Sequence, residues 1–310
     1  MSTAQVMANV MEETAYLPQP NVTLTVSRLT ETERNEVLAF LSERPIHTVC
    51  MTGMIRDNGL TSEHNRGSFY GCRNSEGRLE GVALIGHATL IETRTRGAIR
   101  EFALTAQIHN RLHLIMAEQD KVEQFWNYYA DDGQPMRHAC RELLFELKNT
   151  VEFPGKVEGL RLATLDDLHL VAPVHAAMAE AESGINPLEK DREGFLARCA
   201  RRINKNRVWV FIENDQLIFK ADVQAETPEI IYLEGVYANP AARGTGLARR
   251  CLMQLCQTLL SRSRSICVLA NEDNERAHAF YRLCGFKRLS NYDTIFLQKE
   301  VVSPQPSQLN

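Results

Sequence analysis

Val236-Tyr237-Ala238-Asn239-Pro240-Ala241-Ala242-Arg243-Gly244-Thr245-Gly246-Leu247-Ala248 is the stretch from which the fold is read. A strand ends at about Ala238, and Asn239-Pro240 marks a turn. Leu247, Ala248, Cys251, Leu252, Leu255, Cys256 and Leu259 then recur at helical spacing, with Arg249, Arg250, Gln254 and Gln257 between them. The free amides and dipole of a helix start make an anion site at such a turn. Gly244 and Gly246 let the backbone approach a pyrophosphate without a Cβ, and Arg243 adds a charged fork. A glycine-containing turn that binds nothing has the same pattern. The stretch is neither G-x-x-x-x-G-K-[ST] nor G-x-G-x-x-G, which excludes a Walker loop and a dinucleotide fingerprint.

A second stretch lies downstream: Val268-Leu269-Ala270-Asn271-Glu272-Asp273-Asn274-Glu275-Arg276-Ala277-His278-Ala279-Phe280-Tyr281-Arg282-Leu283-Cys284-Gly285-Phe286. Asn274, Ala277 and Tyr281 are spaced i, i+3 and i+7, so they share one helix face. Gly285 suits the left-handed residue that ends a helix, and Phe286 restarts a strand. Asn274 as a simple helix cap and Tyr281 as a core residue are the plain alternatives.

Outward from these motifs, the chain reads as one α+β unit used twice. Each half opens with a short strand and a Thr-plus-acids helix start: Val22 to Arg28 then Thr30-Glu31-Thr32-Glu33, and Leu160 to Ala163 then Thr164-Leu165-Asp166-Asp167. A meander follows in each. In the first half it is Ser68 to Cys72 and Leu79 to Leu90. In the second it is Val208 to Ile212, Leu217 to Val223 and Ile230 to Ala238, with a turn at Glu213-Asn214-Asp215. Each half closes with a strand and an aromatic-paired helix: Leu112 to Met116 then Val122 to Tyr129 with Phe125-Trp126, and Ile266 to Leu269 then Ala277 to Leu283 with Phe280-Tyr281. A helical stretch, Cys140 to Leu147, precedes the breaker pair Pro154-Gly155. The expected division is a tail over 1–20, one domain over 21–153, a second over 154–300 and a tail over 301–310. The expected architecture is a mixed sheet flanked by helices in each domain.

The order and spacing of Arg243, Gly246 and Ala248 (R-x-x-G-x-A), then Asn274, Ala277, Tyr281, Gly285 and Phe286 (N-x-x-A-x-x-x-Y-x-x-x-G-F), resemble the GCN5-related N-acetyltransferase (GNAT) family over about Val157 to Lys299. The resemblance implies that acetyl-CoA is the co-substrate and that main-chain groups around Arg243, Gly244, Thr245, Gly246, Leu247 and Ala248 hold its pyrophosphate. Val236 and Ala238 would bond the pantetheine arm through their main chain, bordered by Asn274 and Ala277. Tyr281 would be the general acid for the leaving thiolate.

An amine nucleophile must lose a proton before or during attack. Glu234 is the candidate base, with Tyr232 and Val236 on the same side by strand alternation. Its alternative is an ion pair with Lys220. A strand N–H near Val236 would polarise the carbonyl. In the family the chain resembles, the segment before the first long strand often lines the acceptor site, which implies that Glu180, Glu182 and Ser183, between two helices, would read a cationic acceptor; an ordinary capped loop is the alternative. The first half has only a partial echo, Arg94-Thr95-Arg96-Gly97-Ala98-Ile99, and Trp126 stands where the acid Tyr would. It reads as a copy that has lost CoA binding and catalysis, and contributes a wall of the acceptor site or a dimer surface, an acceptor-binding role and a purely structural one both standing open. Arg198, Arg201, Arg202, Lys205 and Arg207 read as a solvated helix face, with contact to an acidic acceptor or a CoA phosphate as the alternative.

Composition agrees with these readings. The chain has 310 residues, 35 Lys+Arg against 39 Asp+Glu, 44% hydrophobic and 24% charged residues. Wholesale disorder, a fibrous repeat and a disulfide scaffold do not fit these values. A formal net charge of −4 argues against a nucleic-acid partner, and no stretch reads as a membrane span. The eight cysteines form no C-x-x-C pair and read as reduced core thiols. The first residues lack a basic region followed by an apolar run, so a cytoplasmic protein, monomer or homodimer, is expected. Scattered histidines show no metal-ligand spacing.

The reading is thus an acetyl-CoA-dependent N-acetyltransferase that moves an acetyl group to a primary amine of a small molecule or peptide, by direct transfer in a ternary complex. Two alternatives stand beside it: a non-catalytic CoA-binding regulatory module, and an acyltransferase using another acyl donor.

Overall fold

Thr30 and Thr164 open the two halves with the same device. Thr30 N donates to Glu33 Oε2 at 2.9 Å, and Thr164 N donates to Asp167 Oδ2 at 2.7 Å. Each acid reaches back to the Thr three residues earlier, forming the reciprocal cap expected of Thr followed by acids. The structure is a computed structural model and describes residues 23–109, 112–150 and 155–298. The tails expected at 1–20 and 301–310 lie outside the described residues.

The strands are β1 (Thr25–Arg28), β2 (Gly67–Arg73), β3 (Leu79–Gly86), β4 (Ala88–Thr93), β5 (Leu114–Glu118), β6 (Met136–Leu147), β7 (Arg161–Leu162), β8 (Val208–Glu213), β9 (Gln216–Glu226), β10 (Ile230–Ala238), β11 (Ser265–Asn271) and β12 (Lys287–Leu297). The helices are α1 (Arg34–Ser42), α2 (Pro45–Asn58), α3 (Arg96–Gln107), α4 (Gln119–Tyr129), α5 (Leu168–Ser183), α6 (Pro187–Lys190), α7 (Arg192–Asn204), α8 (Leu247–Leu260) and α9 (Glu275–Leu283). The fold is mixed α+β.

Two compact units emerge, and neither is a simple half of the chain. Among the described residues, the first gathers those up to Leu41, those of Ile55–Arg141 and those from Tyr292 onward. The second gathers Ser42–Met54 and Glu142–Asn291. Division at 153/154 therefore describes the order of motifs along the chain, whereas the units exchange segments across it.

In the first unit the strand order is β1-β2-β3-β4-β5-β12. β4 runs parallel to β5, and β12 is antiparallel to β5 from Tyr292↔Glu118 to Phe296↔Leu114. One core there joins Ala83, Ile85, Ile91, Ile115 and Ile295 to Ala98, Phe102, Val122 and Phe125 of α3 and α4.

In the second unit the order is β6-β11-β10-β9-β8-β7. β9 and β8 form a hairpin whose turn residues Asn214 and Asp215 take φ of 49° and 55°, the left-handed pair that two-residue hairpins favour. The main core places Phe219, Ala221, Val223, Ile231 and Leu233 against Cys251, Leu252, Leu255 and Leu259 of α8 and Tyr281 of α9. A separate cluster on β8 and β9, of Val208, Val210 and Leu217, packs with Val171 and Ile203 of α5 and α7.

Two expectations are corrected. Cys140 to Leu147 is not helical but the end of β6, antiparallel to β11 from Ile266↔Leu147 to Asn271↔Glu142. Leu143, Phe145 and Leu147 enter the core at a period of two, while Glu146 accepts from Ser265 Oγ. Leu79 to Leu90 is not one strand but two: His87 separates β3 from β4, and its N–H and C=O bond Arg66 and the 113–114 amides instead of a strand ladder. All eight cysteines are free thiols, and all but Cys50 are buried.

Candidate active site

β10 changes character halfway along. Its parallel pairing with β11 runs from Ile230↔Ser265 to Leu233↔Val268 and then stops, although β10 continues to Ala238 and β11 to Asn271. Each strand keeps its other partner: β10 stays on β9 as far as Ala238↔Phe219, and β11 stays on β6 as far as Asn271↔Glu142. The facing edges therefore part into a notch whose main-chain groups have no strand partner across it. Unpaired backbone groups seek a hydrogen-bonding partner, so this edge suits a ligand rich in amides.

A bulge lies at the same place. Glu234 faces Asp222 and Tyr237 faces Lys220, so Gly235 and Val236 together oppose Ala221. Gly235 takes φ +61°, a region that favours glycine. The extra residue resets the alternation. Val236 packs against the core of Ile231 and Leu233, and Tyr237 packs in the cluster with Val210 and Leu217. The expectation that Tyr232, Glu234 and Val236 share a side is thus corrected for Val236, because strict alternation fails across a bulge.

The loop after β10 is open. Gly244 and Gly246 have φ of +80° and +76°, and a Cβ built on either would meet no atom within 4 Å. Thr245 Oγ1 donates to Ala242 O at 2.8 Å and accepts from Leu247 N at 3.2 Å, which pins the loop to the start of α8. Among the described residues, the main-chain N–H groups of Gly244, Thr245, Gly246, Ala248 and Arg249 find no acceptor. Arg243 is exposed beside them. Free amides at a helix start, unobstructed by side chains, fit a pyrophosphate.

On α9, Asn274 caps the helix by accepting from Ala277 N at 3.0 Å. Ala277 packs against the core. Tyr281 is 7% exposed, with the rings of Phe145, Phe280 and Phe286 at 5.9, 5.8 and 5.6 Å. Burial, with Cys284 and Cys256 nearby, raises its hydroxyl pKa well above the usual phenol value. Such a group stays protonated and able to donate.

Carboxylates gather on the other side of β10. Burial raises Glu182, at the end of α5, to about 8, with Glu142 of β6 and Glu234 adding repulsion. The residue itself is exposed to solvent. Tyr232 and Cys50 of α2 border the same group: each is raised first by burial and then by Glu234, Cys50 to about 12. Glu180 and Ser183 turn away. Glu180 accepts from Asn186 Nδ2 at 3.1 Å, and Ser183 Oγ donates to Ala179 O at 2.7 Å, so both brace the α5–α6 turn. Neither Cys50, one of the eight cysteines expected as core thiols, nor Glu142 stands out in the sequence as a site residue, because both arrive from segments remote in the chain.

Lys220 does not pair with Glu234. Its ammonium lies 2.7 Å from Asp222 Oδ1. Nor is Arg202 part of a wholly solvated face: it reaches Asp222 Oδ2 at 3.0 Å, while Arg198 meets Asp191 at 3.1 Å.

The first unit carries the counterpart of the notch. β4 and β5 part after Leu90↔Met116. Here β4 is regular against β3, without a bulge, and only Arg94 and Thr95 separate it from α3. Thr95 caps Ala98 N at 3.3 Å, and a Cβ on Gly97 would strike Leu24 at 2.8 Å. Glu92, 1% exposed, pairs with Arg94 and, at 2.7 Å, with Lys121 of α4. Arg94 stacks over Phe40 at 4.1 Å.

The description of the Acetyltransferase (GNAT) family matches residues 175–286. Among solved structures, a GNAT-family acetyltransferase from Colwellia psychrerythraea aligns with a TM-score of 0.53 at 12% identity, covering 88% of this chain and 100% of its own. A tandem GNAT protein from the clavulanic acid biosynthesis pathway gives 0.56 at 13%, covering 88% and 98%. A GCN5-related N-acetyltransferase from Sphaerobacter thermophilus gives 0.52 at 13%, covering 88% and 94%. No curated protein sequence matches this chain. At these identities the structures speak to fold alone: nearly the whole chain aligns with GNAT proteins, one of them a tandem GNAT protein. With the open loop, the parted strands and the family match on the same segment, the chain carries an acyltransferase domain of the GNAT family over residues 175–286.

Proposed function

We propose that the second unit is an acetyl-CoA-dependent N-acetyltransferase acting on a primary amine of a small molecule or peptide, by direct transfer in a ternary complex. The observation that carries this reading is the parting of β10 from β11 after Leu233↔Val268, directly before a loop with unobstructed free amides. Bound there, acetyl-CoA supplies an activated acetyl thioester. The amides of residues 244–249 hold its pyrophosphate, and main-chain groups of Val236 and Ala238 bond its pantetheine arm beside Asn274 and Ala277. An N–H of the bulge, near Val236, polarises the acetyl carbonyl.

Glu234 takes the amine proton, directly or through a water. Tyr281, held protonated by burial, donates a proton to the departing thiolate. Glu182, Tyr232 and Glu142 receive the cationic end of the acceptor, and Glu180 and Ser183 shape the loop that carries Glu182. The capped, ion-paired notch of the first unit supports a copy that no longer takes CoA. Thiol release from acetyl-CoA across a panel of primary amines tests the reading. Release above the hydrolysis background with at least one amine is expected. Tight acetyl-CoA binding with no release across a broad panel would mark a regulatory module instead.

A further inference from the structure

Two charged side chains of the second unit, Lys220 and Asp222, are both fully buried on β9, at 0% exposure. The Lys220 ammonium has two neighbours: Asp222 Oδ1 at 2.7 Å and the carbonyl of Gly235 at 3.2 Å. Asp222 is held from its other oxygen by Arg202 of α7 at 3.0 Å and by His175 Nδ1 of α5 at 3.3 Å. Burial opposes the charge on Asp222, yet Lys220, His175 and Arg202 keep its carboxyl below the usual carboxylate range. Three elements thus converge on one carboxylate, and through Lys220 on one main-chain carbonyl.

That carbonyl belongs to the bulge. Gly235 is the residue with positive φ between Glu234 and Val236, and a Cβ there would stand 2.8 Å from Lys220 Nζ. Burying a lysine and an aspartate side by side is costly, and a hydrophobic pair of the same volume would often hold a sheet as well. Here the ammonium has a directional task that a methyl group lacks: it donates to the carbonyl that the bulge turns out of the β9–β10 ladder. The peptide that carries this carbonyl also carries the N–H of Val236, since both belong to the planar unit between residues 235 and 236. Fixing one end of the unit fixes the direction of the other.

We propose that Lys220 is a positioning residue for the acyl-transfer reaction: locked by Asp222, it orients the Gly235–Val236 peptide so that the Val236 N–H faces the reacting carbonyl. This rests on the reading of the second unit as an acetyltransferase. Lys220 itself touches neither co-substrate nor acceptor; it acts through the backbone. Arg202 and His175 complete the device by keeping Asp222 charged and in place.

The test uses the full chain and Lys220→Met, which keeps the stem and removes the donor. Hydrogen exchange is followed in peptides covering 233–238 and, as an internal standard, 251–259 of α8. Acetyl-CoA affinity is read by calorimetry, and thiol release with the amine panel. Exchange over 233–238 should rise tenfold or more while 251–259 is unchanged. Turnover should fall tenfold or more while the acetyl-CoA Kd rises by a clearly smaller factor, because of the main-chain groups proposed to hold acetyl-CoA only those at Val236 lie on the altered peptide, and the pyrophosphate loop and Ala238 are untouched. Gly235→Ala approaches the same contact from the other side and should reproduce the pattern if Lys220→Met does not fold. Unchanged exchange over 233–238 in a folded variant would overturn the proposal. So would an equal rise in both segments, or a loss of affinity equal to the loss of turnover. If the unaltered protein releases no thiol with any amine while the exchange difference stands, the acetyltransferase reading falls and the role of Lys220 in holding the bulge remains.

Discussion

Leu233 of β10 and Val268 of β11 are the last pair in register between their strands, and the next residue along β10 is Glu234. The candidate base therefore sits at the mouth of the notch, and Tyr281 borders the same unit from α9. Glu234→Gln should lower turnover by roughly 10²–10⁴-fold, the range for removing a general base, with the largest deficit at lower pH, where less of the amine is free. Tyr281→Phe should cut turnover by about tenfold or more with little change in acetyl-CoA affinity. Steady-state kinetics from about pH 6 to 9 check both. Full activity in both variants would remove these residues from the chemistry.

Gly246 offers a sharper test of the loop. Its φ of +76° disfavours any side chain, but the space around its Cβ position is empty. Gly246→Ala should therefore cost only about 1 kcal/mol of stability, the ordinary cost of a left-handed alanine. A methyl group at that point would stand where a phosphate must approach, so the Kd for acetyl-CoA should rise by about tenfold or more. Thermal unfolding and calorimetry on one preparation separate the two effects. An unchanged Kd would place the pyrophosphate elsewhere.

The anion loop, the α9 motif and the paired Thr caps were legible because each depends on residues close in the chain. Asn274, Ala277 and Tyr281 fall on one helix face by spacing alone. What escaped depends on partners far away. Leu143-Leu144-Phe145 fits a helix or a strand equally until β11 is known to lie beside it, and β11 comes more than a hundred residues later. The bulge at Gly235 is invisible to an alternation rule that assumes one residue per step. Lys220 and Asp222, at i and i+2 in the otherwise apolar stretch Leu217 to Val223, put two opposite charges on one face. That pattern was available as a signal. Assignment of Ser42–Met54 to the second unit and of the chain from Tyr292 to the first has no local signature at all.

Glu182 predicts a pH dependence. Burial first, then Glu142 and Glu234, raises its carboxyl to about 8, so it is largely protonated at neutral pH. A raised carboxyl gains its charge as pH climbs through that value, while a primary aliphatic amine stays cationic up to about pH 10. Acceptor binding should therefore tighten between about pH 7 and 9. Glu182→Gln should abolish that change in the acceptor KM and leave the acetyl-CoA Kd as it was. Superimposable KM–pH profiles for the two proteins would take Glu182 out of the acceptor cleft.

Asp167 makes the corresponding case for stability. The Arg161 guanidinium hydrogen-bonds its carboxyl at 2.7 and 2.9 Å, burial opposes, and Thr164 adds a cap, leaving the carboxyl at about 2. The folded value lies below the unfolded one. Its stabilisation is therefore fully present above about pH 4 and is lost as pH falls through about 2. Arg161 is about half exposed, so solvent screening discounts the ion pair. Loss of the cap and the pair in Asp167→Ala should then cost about 1–2 kcal/mol at pH 7. The difference between the two proteins should shrink as pH is lowered from about 4 to 2. Urea unfolding at a series of pH values measures this directly. A difference that stays constant down to pH 2 would mean that Asp167 contributes by packing and not by its charge.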